Sequence, residues 1–194
     1  MILDTILFMD KLVDGCNVPK RVIKNIESLT TKQSKEIIKK SKKIDESVFF
    51  HGEPGTGKTV SAVTHVLKDL KNEYYYEGIL RFENVTNLLH KIRKTYKQSY
   101  DSKGNLLDET TILNECRFAD YLILDDFGVE KTSDWSLQTL YLIINSRYEN
   151  LKPTVITSNL SIKELYEKME DNRIISRIQS MCQIVKCLKQ YRNI

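Results

Sequence analysis

The chain of 194 residues predicts an α/β fold, a mainly parallel sheet covered by helices on both faces. Three observations point there. Short apolar runs alternate with stretches of helical periodicity, as in repeated strand–helix units. The runs Val48–Phe50, Tyr121–Leu124 and Thr154–Ile156 are continuous rather than alternating, which suits strands buried on both sides. A glycine-rich loop, Gly52 to Thr59, joins the first run to the next helical stretch.

In chain order, Ile2, Ile6, Met9 and Val13 stand at helical spacing and predict an amphipathic helix over 2–13, ended by Gly15. Residues 16–19 read as a loop with Pro19, and 31–43 as a basic helix. These make a short helical N-terminal segment, 1–44, ahead of a core over 45–194. Strand 47–51 runs into the glycine loop, and helix 58–71 follows with Val60, Val63, Val66, Leu67 and Leu70 for its buried side. Strand 78–82, helix 85–97, a turn at 101–105 and a helix over 109–117 lead to strand 119–125. A long helix over 133–150 starts at Ser133-Asp134, and Pro153 bars its continuation. Strand 154–157, helices 161–169 and 172–180, and strand 183–188 complete the chain.

Composition excludes several classes. Seven Gly and three Pro rule out a collagenous chain, and no apolar run approaches the roughly 20 residues of a membrane span. Asp4 and Asp10 break the apolar start, so no signal peptide is expected and a cytoplasmic chain is. Cys16, Cys116, Cys182 and Cys187 are scattered, without zinc or disulfide spacing.

The strongest motif is Gly52-Glu53-Pro54-Gly55-Thr56-Gly57-Lys58-Thr59, a full match to G-x-x-x-x-G-K-[ST]. Glycines let the backbone wrap a polyphosphate with amide N–H groups inward, and the following helix offers its positive end to the same anion. Lys58 is expected on the β- and γ-phosphates of ATP, and the Thr59 hydroxyl on Mg²⁺. Tyr121-Leu122-Ile123-Leu124-Asp125-Asp126 is an apolar strand ending in acids. Asp125 is the expected second Mg²⁺ residue, and Asp126 the group that orients and deprotonates the attacking water. Thr157-Ser158-Asn159, at the end of the next apolar strand, would set a polar side chain between the acids and the γ-phosphate. Asn159 suits a hydrogen bond to a phosphate oxygen and the lytic water, and a turn or helix cap explains the tripeptide as well. Arg173 and Arg177, four apart, share a helix face, fitting either surface ion pairs or a finger into a neighbour's site.

In this order these elements resemble the AAA+ ATPases of the DnaC/DnaI helicase-loader group, close to the IstB transposition helpers. The likeness extends to Leu124–Trp135, Tyr141–Tyr148, Thr157–Ser161 and Asn172–Ile178. The resemblance implies a P-loop NTPase of the AAA+ core type, with a five-stranded parallel sheet in the order 5-1-4-3-2 and no C-terminal lid. It implies Arg177 as the trans-acting finger with Arg173 its auxiliary, ATP-dependent self-association into a ring or helix, binding of single-stranded DNA, and delivery of a replicative hexameric helicase. Two alternatives stand beside helicase loading: an IstB-type transposition helper, and an adaptor that binds ATP without hydrolysing it.

Charge is uneven. Nine basic residues between Lys20 and Lys43 face only Glu27 and Glu36, consistent with a solvated face or a polyanion contact. Lys91, Arg93, Lys94 and Lys97, with Tyr96 among them, are the candidate DNA-binding residues, since single-strand binding combines a positive groove with aromatic stacking. An ordinary amphipathic helix with Leu88, Leu89 and Ile92 inward accounts for the same pattern.

Overall fold

Strand β1 (Ser47–His51) shows why the sheet lies in the middle of the molecule. Ser47, Val48, Phe49 and Phe50 are all buried, and Phe49 and Phe50 point to opposite faces. Both faces therefore need cover, and full burial of each ring contributes up to about 3 kcal/mol. The computed structural model describes residues 15–28, 47–70, 80–96, 108–130, 133–169 and 172–188. Within them, β1 is joined by β2 (Leu80–Asn84), β3 (Tyr121–Asp125), β4 (Thr154–Ser158) and β5 (Cys182–Lys186). All paired neighbours are parallel, in the order β2-β3-β4-β1-β5. That is the expected 5-1-4-3-2 order seen from the other edge.

Two core clusters follow from the strand alternation. On one face Phe49, Leu122, Leu124 and Ile156 pack against α3 (Val85–Thr95), α4 (Glu109–Phe118), α5 (Asp134–Glu149) and α7 (Asn172–Met181). Leu165 of α6 (Ile162–Lys168) closes that cluster. On the other face Val48, Phe50, Ile123, Val155 and Val185 pack against Ala62, Val63, Val66 and Leu67 of α2 (Lys58–Leu70). Val22 and Ile23 of α1 (Lys20–Ser28), with Cys16 and Val18, join this second cluster.

Local chemistry sets the helix starts. Asn84, Asp108, Ser133 and Ser161 cap α3, α4, α5 and α6, each accepting a backbone N–H of the first turn. The Ser133–Ser136 and Ser161–Glu164 pairs close capping boxes.

Three elements depart from the sequence reading. Helix α1 was not anticipated: its apolar residues cover α2, a requirement that no local pattern announces. Strand β2 runs on to Asn84 rather than ending at 82, because its pairing with β3 continues to Asp125; residues 78 and 79, expected at its start, lie outside the described residues. Strand β5 begins at Cys182, opposite Ser47. The expected helices over 2–13 and 31–43, the turn at 101–105 and Lys97 lie outside the described residues.

At the N-terminal ends of β3 and β4, Arg147 is completely buried. Its Nε donates to Thr154 Oγ1 at 2.8 Å. Its Nη1 donates to the Cys116 and Ala119 carbonyls at 2.9 and 2.8 Å, and its Nη2 to the Pro153 carbonyl at 2.6 Å. It thus ties the end of α4 to the start of β4. Burial pulls its pKa down to about 10, which leaves it charged at neutral pH.

Candidate functional site

The C-terminal ends of β1, β3 and β4 meet beside the glycine loop. Gly52, Gly55 and Gly57 have φ of 148°, 85° and 78°, conformations that side chains resist. A Cβ at Gly52 would lie 2.3 Å from the Cys187 carbonyl oxygen, so this position requires glycine. The loop is tied down from both sides: Gly52 N–H donates to the Ser158 carbonyl at 3.3 Å, and Cys187 N–H to the His51 carbonyl at 2.7 Å. Lys58, buried at the start of α2, donates from Nζ to the Gly52 and Glu53 carbonyls at 2.7 and 2.8 Å. Burial lowers its pKa, an effect opposed by nearby Asp126, Asp125 and Glu53.

Opposite the loop, Thr59 Oγ1 donates to Asp125 Oδ1 at 2.8 Å. Thr157 Oγ1 donates to the same oxygen at 2.7 Å and accepts the Asp126 N–H at 3.0 Å. Asp125 is 2% exposed. Burial pushes its pKa up and Asp126 adds to the rise, while the Thr157 and Thr59 hydrogen bonds oppose it. Asp126 stands at φ 58°, the left-handed region that non-glycine residues avoid, just past the end of β3. Asn84 Nδ2 donates to Asp126 Oδ2 at 3.2 Å.

A hydroxyl and a carboxylate in contact form a hard oxygen pair, the donor chemistry Mg²⁺ takes beside substrate phosphates. Among the described residues no group of three or more His, Cys, Asp or Glu is placed to hold a metal by itself. A magnesium site here therefore needs phosphate and water to complete it. The residues fit the group: cradle, ammonium and oxygen pair converge.

A cavity of about 700 Å³ opens along the loop, lined by Gly52, Glu53, Thr56, Asn159, Glu164 and Lys186 among others. Asn159 is exposed at this opening. The residue of that segment that touches the acids is Thr157. Sequence reasoning had the segment Thr157-Ser158-Asn159 but singled out Asn159 in it, and it missed Asn84. Thr157 and Asn84 take their places from strand register: Asn84 pairs with Asp125 across β2 and β3, and Thr157 follows Ile156, which pairs with Leu124.

The other candidates lie apart. Arg173 and Arg177 are on α7 and stack on tyrosines of α5, each 4.7 Å from the ring centre, over Tyr141 and Tyr148 respectively. Arg93 and Lys94 are exposed at the end of α3, and Lys91 is half-buried. Arg93 lies 4.8 Å over the Trp135 ring, and Trp135 Nε1 donates to the exposed Tyr96 hydroxyl at 3.1 Å. A cationic and aromatic patch therefore joins α3 to α5.

Comparison with known proteins agrees with this geometry. Residues 17–192 match the family of IstB-like ATP binding proteins. The phage-like element PBSX protein XkdC of Bacillus subtilis (strain 168) is 30% identical over 144 residues, 70% of this chain and 47% of that protein. The replicative helicase loader DnaC of Escherichia coli (strain K12) is 25% identical over 134 residues, 69% of this chain and 50% of the loader. The chain thus spans about half the length of these curated relatives. A crystal structure of the DnaC helicase loader superposes with a TM-score of 0.65 at 23% identity, covering 88% of this chain and 100% of that one. The shared fold is the AAA+ core. No helix among the described residues is long and apolar enough to cross a membrane.

Proposed function

This chain belongs to the IstB-like ATP-binding family, and on that premise we propose that it is a Mg²⁺-dependent ATPase that loads a replicative helicase onto single-stranded DNA. The observation that carries the ATPase reading is the Thr59–Asp125 contact of 2.8 Å opposite the glycine loop, with Asp126 beside it. Loop amides and Lys58 hold the β- and γ-phosphates. Thr59 and Asp125 would hold Mg²⁺, which would supply positive charge to the triphosphate.

Asp126 orients a water and takes its proton as the water oxygen bonds to the γ-phosphorus. The bond from that phosphorus to the β,γ-bridging oxygen breaks, and ADP leaves with the electron pair. Thr157 and Asn84 hold Asp126 at the required angle. Asn159, exposed at the cavity beside the loop, would hydrogen-bond a phosphate oxygen and the lytic water. Arg177 of a neighbouring copy, with Arg173 as auxiliary, supplies positive charge to the transition state, so self-association and turnover rise together.

DNA binding is assigned to Lys91, Arg93, Lys94 and Lys97, because α3 carries no acid and ends on the Arg93–Trp135–Tyr96 patch. Trp135 is the single tryptophan of the chain, so its fluorescence reports on that patch directly.

Phosphate release is measured with and without single-stranded DNA. Wild-type protein turns over and is stimulated; Asp126→Asn binds ATP and does not turn over. Turnover by Asp126→Asn at the wild-type rate sinks the mechanism. Nucleotide-dependent assembly without any phosphate release selects the non-hydrolysing adaptor. The family match over 17–192 favours an IstB-type transposition helper as the second reading. Pull-downs against a replicative helicase and a transposase, each with ATP, with ADP and without nucleotide, separate the two clients.

A further inference from the structure

We propose that Tyr141, Asn145 and Tyr148 are positioning residues for the arginine pair on α7, and that they make Arg177 the guanidinium presented to a second copy of this chain. The proposal rests on the trans-finger reading and deepens it. Tyr141, Asn145 and Tyr148 stand on α5 at intervals of four and three, one stripe of the helix. Arg173 and Arg177 form the facing stripe on α7, and the two helices are locked by Leu140, Ile143, Ile144, Ile174, Ile175 and Ile178 in one core cluster.

Each guanidinium lies 4.7 Å over a tyrosine ring. For Arg177, stacking fixes the plane of the group without neutralising its charge, which an acidic partner would do. Arg177 has a second restraint: its Nε donates to Asn145 Oδ1 at 3.1 Å. The Asn145 amide is itself oriented by its Nδ2, which donates to Glu149 Oε1 at 2.9 Å. With plane and Nε fixed, the two Nη groups form the fork. Among the described residues no acceptor engages them. A paired Nη fork matches two oxygens of a phosphate.

Arg177 is set toward the end of the sheet away from its own site. Tyr148, over which it stacks, adjoins Arg147 at the N-terminal ends of β3 and β4, whereas Asp125 closes β3 at its C-terminal end.

The experiment mixes two chains. Arg177→Ala has an intact site and no finger; Asp126→Asn binds nucleotide, performs no chemistry and keeps its finger. The mixture regains DNA-stimulated phosphate release if the finger acts in trans. Tyr148→Leu is then placed in the Asp126→Asn chain, where it affects only finger donation. Recovery falls about tenfold, Asn145→Ala in the same chain acts in the same direction, and Tyr148→Phe, which keeps the ring, stays within about twofold of full recovery. Unchanged ATP binding by each donor certifies its fold. Full recovery with both Tyr148→Leu and Asn145→Ala overturns the positioning role while the finger stands. Arg177→Ala hydrolysing alone at the wild-type stimulated rate overturns the finger and the proposal together.

Discussion

The two ends of this sheet bury charge in opposite ways. At the N-terminal end Arg147 is sealed from solvent, and its partners are backbone carbonyls and the Thr154 hydroxyl. Carbonyls at a helix terminus and a strand start have nowhere else to go, so that cation is a fixture of the fold. At the C-terminal end, Asp125 is held by two hydroxyls, and Lys58 by carbonyls of a glycine loop. Those partners can be exchanged for phosphate and magnesium at little structural expense. Full satisfaction by immobile acceptors marks a structural charge; loose satisfaction by exchangeable ones marks a functional charge.

The comparison breaks most easily at Arg147. Arg147→Ala leaves a set of carbonyls buried without donors, and is expected to cost about 3–5 kcal/mol in urea unfolding. Arg147→Lys recovers only part of this, because an ammonium has three donors and no planar fork. A midpoint for Arg147→Ala within the error of wild type would make that end as dispensable as any surface. Next in size, Lys58→Ala should weaken ATP binding about 100-fold, the equivalent of about 3 kcal/mol for a charge-assisted contact to phosphate, with no loss of melting temperature. Calorimetric titration and thermal melting measure the two halves of that statement.

Asp125→Asn tests the same contrast from the acid. Burial raises the Asp125 pKa, so the folded chain prefers the protonated form. The associated stability is present below the ordinary carboxylate range and is lost as pH rises through the folded value. An amide removes that loss and still accepts from Thr59 and Thr157. Asp125→Asn should therefore unfold later at pH 7, by about 0.5–2 kcal/mol, while its nucleotide binding loses dependence on Mg²⁺. The gain should shrink toward pH 4. A variant less stable than wild type at pH 7 would mean that the carboxylate is already paid for by its neighbours.

How legible was this in the sequence? The glycine loop and the acid-tipped strand were, because their chemistry is local: eight consecutive residues for one and six for the other. The strand order followed from resemblance and holds in the structure. That Thr157 rather than Asn159 meets the acids, and that Asn84 does too, was not legible. Each reaches the acids through strand pairing, and register between distant segments leaves no mark at the residue itself. Arg147 was hidden for a related reason. An arginine late in a helix reads as solvent-facing, and its burial depends on α4 ending against the start of β4. Lys97 and the expected helices over 2–13 and 31–43 lie outside the described residues.

Asn84 offers the smallest expected effect and the sharpest separation, because one side chain serves both kinds of purpose. Its Oδ1 accepts the Asn87 N–H and starts α3, while its Nδ2 donates to Asp126. Asn84→Ala removes both contacts: it should lower stability by about 1 kcal/mol through the lost cap and reduce hydrolysis as Asp126 loses its restraint. Asn84→Asp keeps an oxygen for the cap and sets a second carboxylate against Asp126. Its unfolding should stay within a few tenths of a kcal/mol of wild type, while turnover falls at least as far as in Asn84→Ala. Equal turnover in wild type and Asn84→Asp would show that the Asn84–Asp126 contact positions nothing. The cap would then be the whole of its role, and the exchangeable end of the sheet would shrink to Lys58, Thr59, Asp125 and Thr157.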